Sequence, residues 1–163
     1  MGRVEAVCIS EKKGMVKHEV PSIRLEADWG IDGDAHAGVW HRQVSLLAAE
    51  SIERVKKQLP DLQHGVFAEN IVCRGVDLTA LVIGDRLLID GGVVLVVTQI
   101  GKVCHNQGCA IKKATGDCIM PREGIFTKVV QGGEVRPGLG ISIEKESQHT
   151  QCLHEQHTQG GCA

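Results

Sequence analysis

The stretch LVIGDRLLIDGGVVLVVTQI, residues 81–100, constrains the chain most. Two apolar runs rich in Val, Ile and Leu flank Asp90-Gly91-Gly92. Only a glycine-bearing turn lets two such runs double back on each other, so the pattern predicts a β-hairpin. Arg86 alternates only loosely with Leu87, Leu88 and Ile89, which predicts strands covered on both faces.

Further short strands are expected on either side. RVEAVCIS (3–10) places Val4, Ala6 and Cys8 on one face and Glu5, Val7 and Ile9 on the other, a strand largely buried on both. Cys8 reads as a small core residue. MVKHEV and IRLEAD, separated by Pro21, read as strands, with His18 facing solvent. QVSLL, the end of VFAENIVC (66–73) and ISIE add three more. GIFTKVVQGGEVRPG is expected to form a second hairpin turning at Gly132-Gly133. AAESIERVKKQL predicts one helix, with Leu47, Ile52, Val55 and Leu59 on its apolar stripe and Pro60 ending it.

Many short strands, glycine turns and a single good helix predict a mainly β fold, a barrel or sandwich. No βαβ rhythm is visible, which disfavours Rossmann and TIM folds. Residues 1–146 are expected to form the domain, and 147–163, polar and rich in Cys and His, a tail outside it.

Composition removes several function classes. The aromatic residues are Phe67, Phe126, Trp29 and Trp40, too few for a base-stacking platform. The formal charge of -2 comes from interspersed acids and bases, with no basic stripe for phosphate backbones, so no nucleic-acid partner is expected. The N-terminus MGRVEAVCISEKKG lacks a signal peptide's apolar core, and VVLVV (93–97) is too short to span a bilayer. No membrane association and a cytoplasmic location are expected. In that reducing compartment the seven cysteines are core residues, ligands or reactive thiols rather than bridges.

Three of them lie in TQIGKVCHNQGCAIKKATGDCIMPREG, residues 98–124. Cys104 follows Lys102 by two residues, precedes His105, and is followed further on by Lys112 and Lys113. Nearby cations favour the thiolate, which is both the nucleophile and the metal ligand. A reactive or ligating Cys104 and a cysteine at a strand end with chance lysines are both open readings. So is a zinc site from Cys104, His105, Cys109 and Cys118, although the spacing lacks the close pair of a zinc ribbon. In GIDGDAHAG (30–38), Asp32, Asp34 and His36 either bind a metal or relay protons, or form a turn whose carboxylates bond their own backbone. Arg42 is either an anion clamp or a surface charge. Cys152, His154, His157 and Cys162 of the tail could hold zinc or nickel. No phosphate loop, nucleophile elbow or HExxH sequence is present.

Taken together, GIDGDAHAG with RQVSLL, FAENIV, IGDRLLI, VVLVVTQIGKVC and CIMPREGIFTKVVQGGEVRPG resemble the MOSC domain, named for the C-terminal part of molybdenum cofactor sulfurase. The pieces run in family order over roughly residues 3 to 144. The resemblance implies a closed, mainly β barrel like the barrel domain of pyruvate kinase. It implies a functional cysteine that carries sulfur as a persulfide or coordinates molybdenum, and the matching position is Cys104. Asn70 matches a position near the pterin cofactor, and Asp34, His36, Arg42, Gln43 and Lys102 are expected to line the same pocket. At the end of the last hairpin the family commonly has Gly-Asp, where this chain has Leu139.

Three functions follow as expectations. In the first, the protein binds molybdenum cofactor or carries sulfane sulfur on Cys104. Pyridoxal phosphate then acts only through a partner cysteine desulfurase, because these residues contain no aminotransferase-like domain. In the second, it is a molybdenum-dependent reductase of N-hydroxylated compounds with a separate electron-donor protein. In the third, it is a non-catalytic zinc-binding or interaction module.

Overall fold

The computed structural model describes residues 1–103 and 118–147. The strands are β1 (Gly2–Ile9), β2 (His18–Val20), β3 (Ile23–Glu26), β4 (Gly30–Ile31), β5 (Val44–Ala48), β6 (Ile71–Arg74), β7 (Arg86–Ile89), β8 (Val93–Ile100), β9 (Ile125–Gln131), β10 (Gly133–Val135) and β11 (Gly140–Glu144). Among the described residues there are two α-helices, α1 (Ala49–Lys56) and α2 (Met120–Glu123).

The strands close in the order β1-β11-β7-β8-β9-β5-β6 and back to β1, a seven-stranded barrel. Closure removes the unpaired edges that an open sheet would expose. β2 extends the sheet beyond β1, pairing Val7 with Val20 and Ile9 with His18. The expected hairpin is present: Ile89 pairs with Val93 across Asp90-Gly91-Gly92, and both glycines have positive φ (95° and 90°). Asp90 then accepts a 2.9 Å bond from Gly140 N, which fastens the turn to β11.

Every barrel strand sends aliphatic side chains inward. Val4, Leu46, Ile71, Leu87, Leu95, Val129 and Ile141 belong to one buried cluster, so the interior is aliphatic as the scarcity of aromatics requires. Each such side chain contributes about 1.5–3 kcal/mol on burial. A second cluster lies outside the barrel wall. There Ala6, Leu47 and Val72 pack under Ile52 of α1 and Met120 of α2. β1 and β5 are thus covered on both faces, and Cys8 is fully buried.

Four expectations need correction. β5 and β6 run parallel, Leu46 beside Ile71, and α1 is their crossover, so the chain does contain one βαβ unit. Leu47 belongs to β5 rather than to the helix, because its pairing with Val72 outweighs its place in a helical stripe. The helix ends at Lys56, before Pro60. Finally, Gly132-Gly133 is not a hairpin turn. β9 pairs with β8 and β5, while β10 joins β3 and β4 in a separate three-stranded sheet. A Cβ on Gly132 would lie 2.2 Å from Leu25 O, so glycine here permits the chain to cross closely over β3.

Among the described residues, no helix is long and apolar enough to cross a membrane.

Candidate functional site

The connection from β4 to β5, residues 32–43, lies against the end of the barrel and carries most of the candidate residues. Its fold is set by internal bonds. Gly38 N donates to Trp29 O (2.8 Å), and Trp40 Nε1 donates to His36 O (2.8 Å). His41 Nε2 lies 2.8 Å from Gln99 Oε1, which ties the loop to the end of β8. That end is itself held by α2: Gly101 N donates to Gly124 O (2.7 Å) and Lys102 N to Pro121 O (3.0 Å).

These elements enclose a pocket. Its polar lining is His36, Arg42, Ser45, Asn70 and Lys102, with Trp40, Met120 and Phe126 as the apolar wall. The Arg42 guanidinium sits 4.7 Å from the Trp40 ring centre and 5.7 Å from that of Phe126. Two aromatic faces therefore hold the cation in place. Arg42 Nε is buried, and no hydrogen-bond partner satisfies it among the described residues. A buried donor left unbonded costs roughly 1–3 kcal/mol unless something accepts from it.

Asp34 stands behind the pocket and is fully engaged. It accepts from Ser10 N (3.1 Å), from His36 N (3.2 Å) and from Lys17 Nζ (2.7 Å). Both side chains of the Lys17–Asp34 pair are almost wholly buried. Burying either charge alone would be prohibitive, so each depends on the other. Lys17 Nζ also lies 3.0 Å from His36 Nδ1. Burial first, and then the Lys17 charge, push the His36 pKa down to about 4, against a smaller opposing effect of Asp34. Among the described residues no carboxylate lines the pocket, and the charged side chains there, Arg42 and Lys102, are cationic.

Asn70 borders the pocket but spends its amide on the barrel. Its Oδ1 accepts from Ser45 N (3.0 Å) and Ser45 Oγ (3.1 Å), and its Nδ2 donates to Cys8 O (3.0 Å). The loop before it is pinned by Glu69, whose buried carboxyl accepts from Gly65 N (2.5 Å) and Phe67 N (3.0 Å). Burial raises the Glu69 pKa, against the opposing effect of those N–H donors.

The structure thus brings His36, Arg42, Asn70 and Lys102 together, with Asp34 in support. Gln43 lies elsewhere. It is buried, accepts from Val129 N (3.0 Å) and donates to Asp28 (3.3 Å), so it joins β9 to the second sheet rather than lining the pocket. Alternation explains this: Arg42 and Gln43 are neighbours leading into a strand, and neighbours face opposite ways. Asp32 is exposed. Among the described residues no group of three or more His, Cys, Asp or Glu is gathered as for a metal ion, and Asp34 is already neutralised by Lys17. Cys104, His105 and Cys109, and the tail cysteines and histidines, lie outside the described residues. Cys8, Cys73 and Cys118 are in no disulfide.

Sequence reasoning missed Lys17, Ser45, Glu69 and the aromatic clamp. Nothing in MVKHEV marks Lys17 as buried. The clamp left a signal, since Trp40 and Phe126 are two of the four aromatic residues in the chain.

Comparison with known proteins agrees with this architecture. The fold is similar to the crystal structure of YuaD protein from Bacillus subtilis, with a TM-score of 0.72 at 21% identity, covering 88% of this chain and 96% of that one. It is also similar to YiiM from Geobacillus stearothermophilus (TM-score 0.65, 12% identity, 96% of this chain and 85% of that one). YiiM from Escherichia coli matches at TM-score 0.61 and 15% identity, over 88% of this chain and 70% of that one. At such identities the likeness shows the fold. No curated protein matches the sequence significantly. The sequence profile of the MOSC domain matches residues 32–147, which include the loop, the barrel strands β5 to β9 and β11, and every pocket-lining residue. The chain therefore belongs to the MOSC domain family, a family associated with the molybdenum cofactor.

Proposed function

We propose that this protein binds molybdenum cofactor in the cytoplasm, with the pocket between Arg42 and Lys102 holding the cofactor's anionic part and Cys104 supplying a thiolate to the metal. The observation that carries this reading is Arg42. Its Nε is buried and clamped between two rings, and among the described residues it has no bonding partner and the pocket lining no carboxylate. Such an arrangement suits an anion with oxygen acceptors, as the cofactor's phosphate is.

The residues present fit that group. Arg42 and Lys102 would offer charge, and His36 a further polar contact. Asn70, with both ends of its amide engaged, would shape the wall rather than grip the ligand. Lys17 and Asp34 would hold the loop in place. When bound, the cofactor supplies a molybdenum centre, held by dithiolene sulfurs, for which a thiolate is a natural ligand. Of the described thiols, Cys8 and Cys73 are unsuited to that role. Both are buried, and burial pushes the Cys73 pKa up to about 12 and raises that of Cys8 as well. Cys104 follows the pocket residue Lys102 by two positions.

The test is molybdenum content by elemental mass spectrometry, on protein made anaerobically in a host that synthesises the cofactor. Wild type is expected to carry near-stoichiometric molybdenum, Cys104→Ser none, and Arg42→Met at least tenfold less. No molybdenum in the wild type refutes the reading. Weight would then pass to sulfur carriage, tested by incubation with a cysteine desulfurase and cysteine. That version fails if Cys104→Ser takes up sulfane sulfur as well as wild type does. A reductase would need both bound molybdenum and a separate electron donor. A zinc module would hold zinc that disappears on removal of residues 147–163.

A further inference from the structure

Lys17 has its three ammonium donors committed within one buried cluster: Asp34 Oδ1 at 2.7 Å, His36 Nδ1 at 3.0 Å and Ser10 Oγ at 3.4 Å. An ammonium group can donate but cannot accept. The contact with His36 Nδ1 therefore requires a lone pair on that nitrogen. The alternative, a proton on Nδ1 shared with Asp34, is opposed by distance, since Asp34 Oδ2 lies 3.9 Å away. It would also place an N–H against the ammonium 3.0 Å away. With Nδ1 bare, the proton of a neutral imidazole must sit on Nε2.

The ring has its Nδ1 side committed to Lys17 and its other side toward the pocket. Nδ1 faces a lysine side chain that is 1% exposed, while the His36 side chain is 31% exposed and lines the pocket. Nε2 has no hydrogen-bond partner among the described residues. Trp40 stacks on the ring, with centres 6.4 Å apart and planes 13° from parallel, and its indole N–H holds the His36 carbonyl. The Lys17 contact on Nδ1 and the Trp40 bond to the carbonyl restrain the ring and the backbone that carries it.

We propose that Lys17 is a positioning residue which fixes His36 as a neutral Nε2–H donor, so that His36 offers the pocket a hydrogen bond for an anionic oxygen rather than a proton-accepting base. In its choice of ligand this rests on the anion-binding reading of the pocket; in its statement about the ring it does not. The charged groups around His36 act together. Lys17, Lys13 and Lys102 all disfavour a second ring proton, and Asp34, which favours it, is already paired with Lys17. A histidine of ordinary pKa would gain charge between about pH 5 and 8. His36 keeps the same donor across that range, so its contribution to binding is insensitive to pH there.

The test is nitrogen-15 NMR of the ring nitrogens in the full chain without cofactor. His36→Gln identifies the His36 resonances among those of the eight histidines. Wild type is expected to show protonated Nε2, bare Nδ1, and no titration from about pH 5 to 8. An Nδ1–H form, or a midpoint near the ordinary value, overturns the proposal. In the double variant Lys17→Met/Asp34→Asn, which leaves no unpaired charge buried, mixed tautomers and a raised midpoint are expected. A ring still locked there shows that Lys17 is not the cause. Inorganic phosphate is the probe for donation. It is expected to shift the His36 Nε2 resonance, to bind His36→Gln within about threefold of wild type, and to bind His36→Leu about tenfold more weakly, the worth of one charge-assisted bond. Equal affinity for His36→Leu, or no effect of phosphate on Nε2, overturns the donor role. Loss of molybdenum binding with the locked tautomer intact would refute only the cofactor reading.

Discussion

Replacing Asn70 with alanine should destabilise the barrel rather than remove a ligand contact. Asn70 is 1% exposed and joins three barrel strands, through Ser45 of β5, Cys8 of β1 and its own place at the start of β6. Alanine removes the acceptor for Ser45 N and the donor to Cys8 O. Ser45 Oγ loses less, because Ala68 O at 3.0 Å offers it another acceptor. Two buried backbone groups left unbonded, at about 1–3 kcal/mol each, give a loss of about 3 kcal/mol once partial relaxation is allowed. The assay is urea denaturation followed by tryptophan fluorescence. With a slope of about 2 kcal/mol per molar urea, the midpoint should fall by roughly 1.5 M. Wild type and variant should keep the same slope. A midpoint within about 0.5 M of wild type would refute the reasoning, since it would mean that the two bonds have replacements or little net value. Asn70→Asp separates role from size. It keeps the shape but sets a carboxylate oxygen against Cys8 O, so a loss at least as large as alanine's is expected at neutral pH.

Three further outcomes follow from the same geometry. Gly65→Ala should cost at least about 3 kcal/mol, because the backbone has φ +95° and a Cβ would lie 2.1 Å from Lys17 O; a thermal melt unchanged from wild type contradicts this. The depressed His36 pKa makes stability fall as pH drops from about 6.5 to about 4, since the unfolded ring takes a proton that the folded ring refuses. That part of the loss is roughly 2 kcal/mol after allowance for the ring's partial exposure, is complete below the folded value, and should be absent from the pH-dependent unfolding of His36→Gln. Cys8 and Cys73 should resist maleimide at pH 8 in the folded protein and react on unfolding; mass mapping of adducts on either native thiol would show the barrel wall to be open.

Local pattern made much of this fold legible. The Asp90-Gly91-Gly92 hairpin could be read because turn chemistry and flanking apolar runs are contiguous in sequence. The aliphatic core followed from composition, and Cys8 from its alternation in β1. The β9–β10 break could not be read, because Gly132-Gly133 looks the same whether it turns a hairpin or lets the chain pass close over Leu25. Leu47 reads both into the strand QVSLL and onto the helical stripe, since a short apolar run suits a helix and a buried strand equally, and the structure bears out only the strand.

The site divides in the same way. The sequence by itself determined which chemistry is available: a histidine and aspartates in a glycine-rich loop, an arginine after it, an asparagine before β6, and a thiol beyond a lysine. Tertiary structure alone decided what each does. It buried Lys17 against Asp34 and so chose the His36 tautomer; it turned Gln43 away from the pocket and Arg42 toward it; it spent Asn70 on two neighbouring strands. Those outcomes depend on partners as far as 86 residues away in the chain, as Gln43 and Val129 are. A side chain's charge and hydrogen-bonding role are set by what surrounds it in space, and for these residues the surroundings come from closure of the barrel.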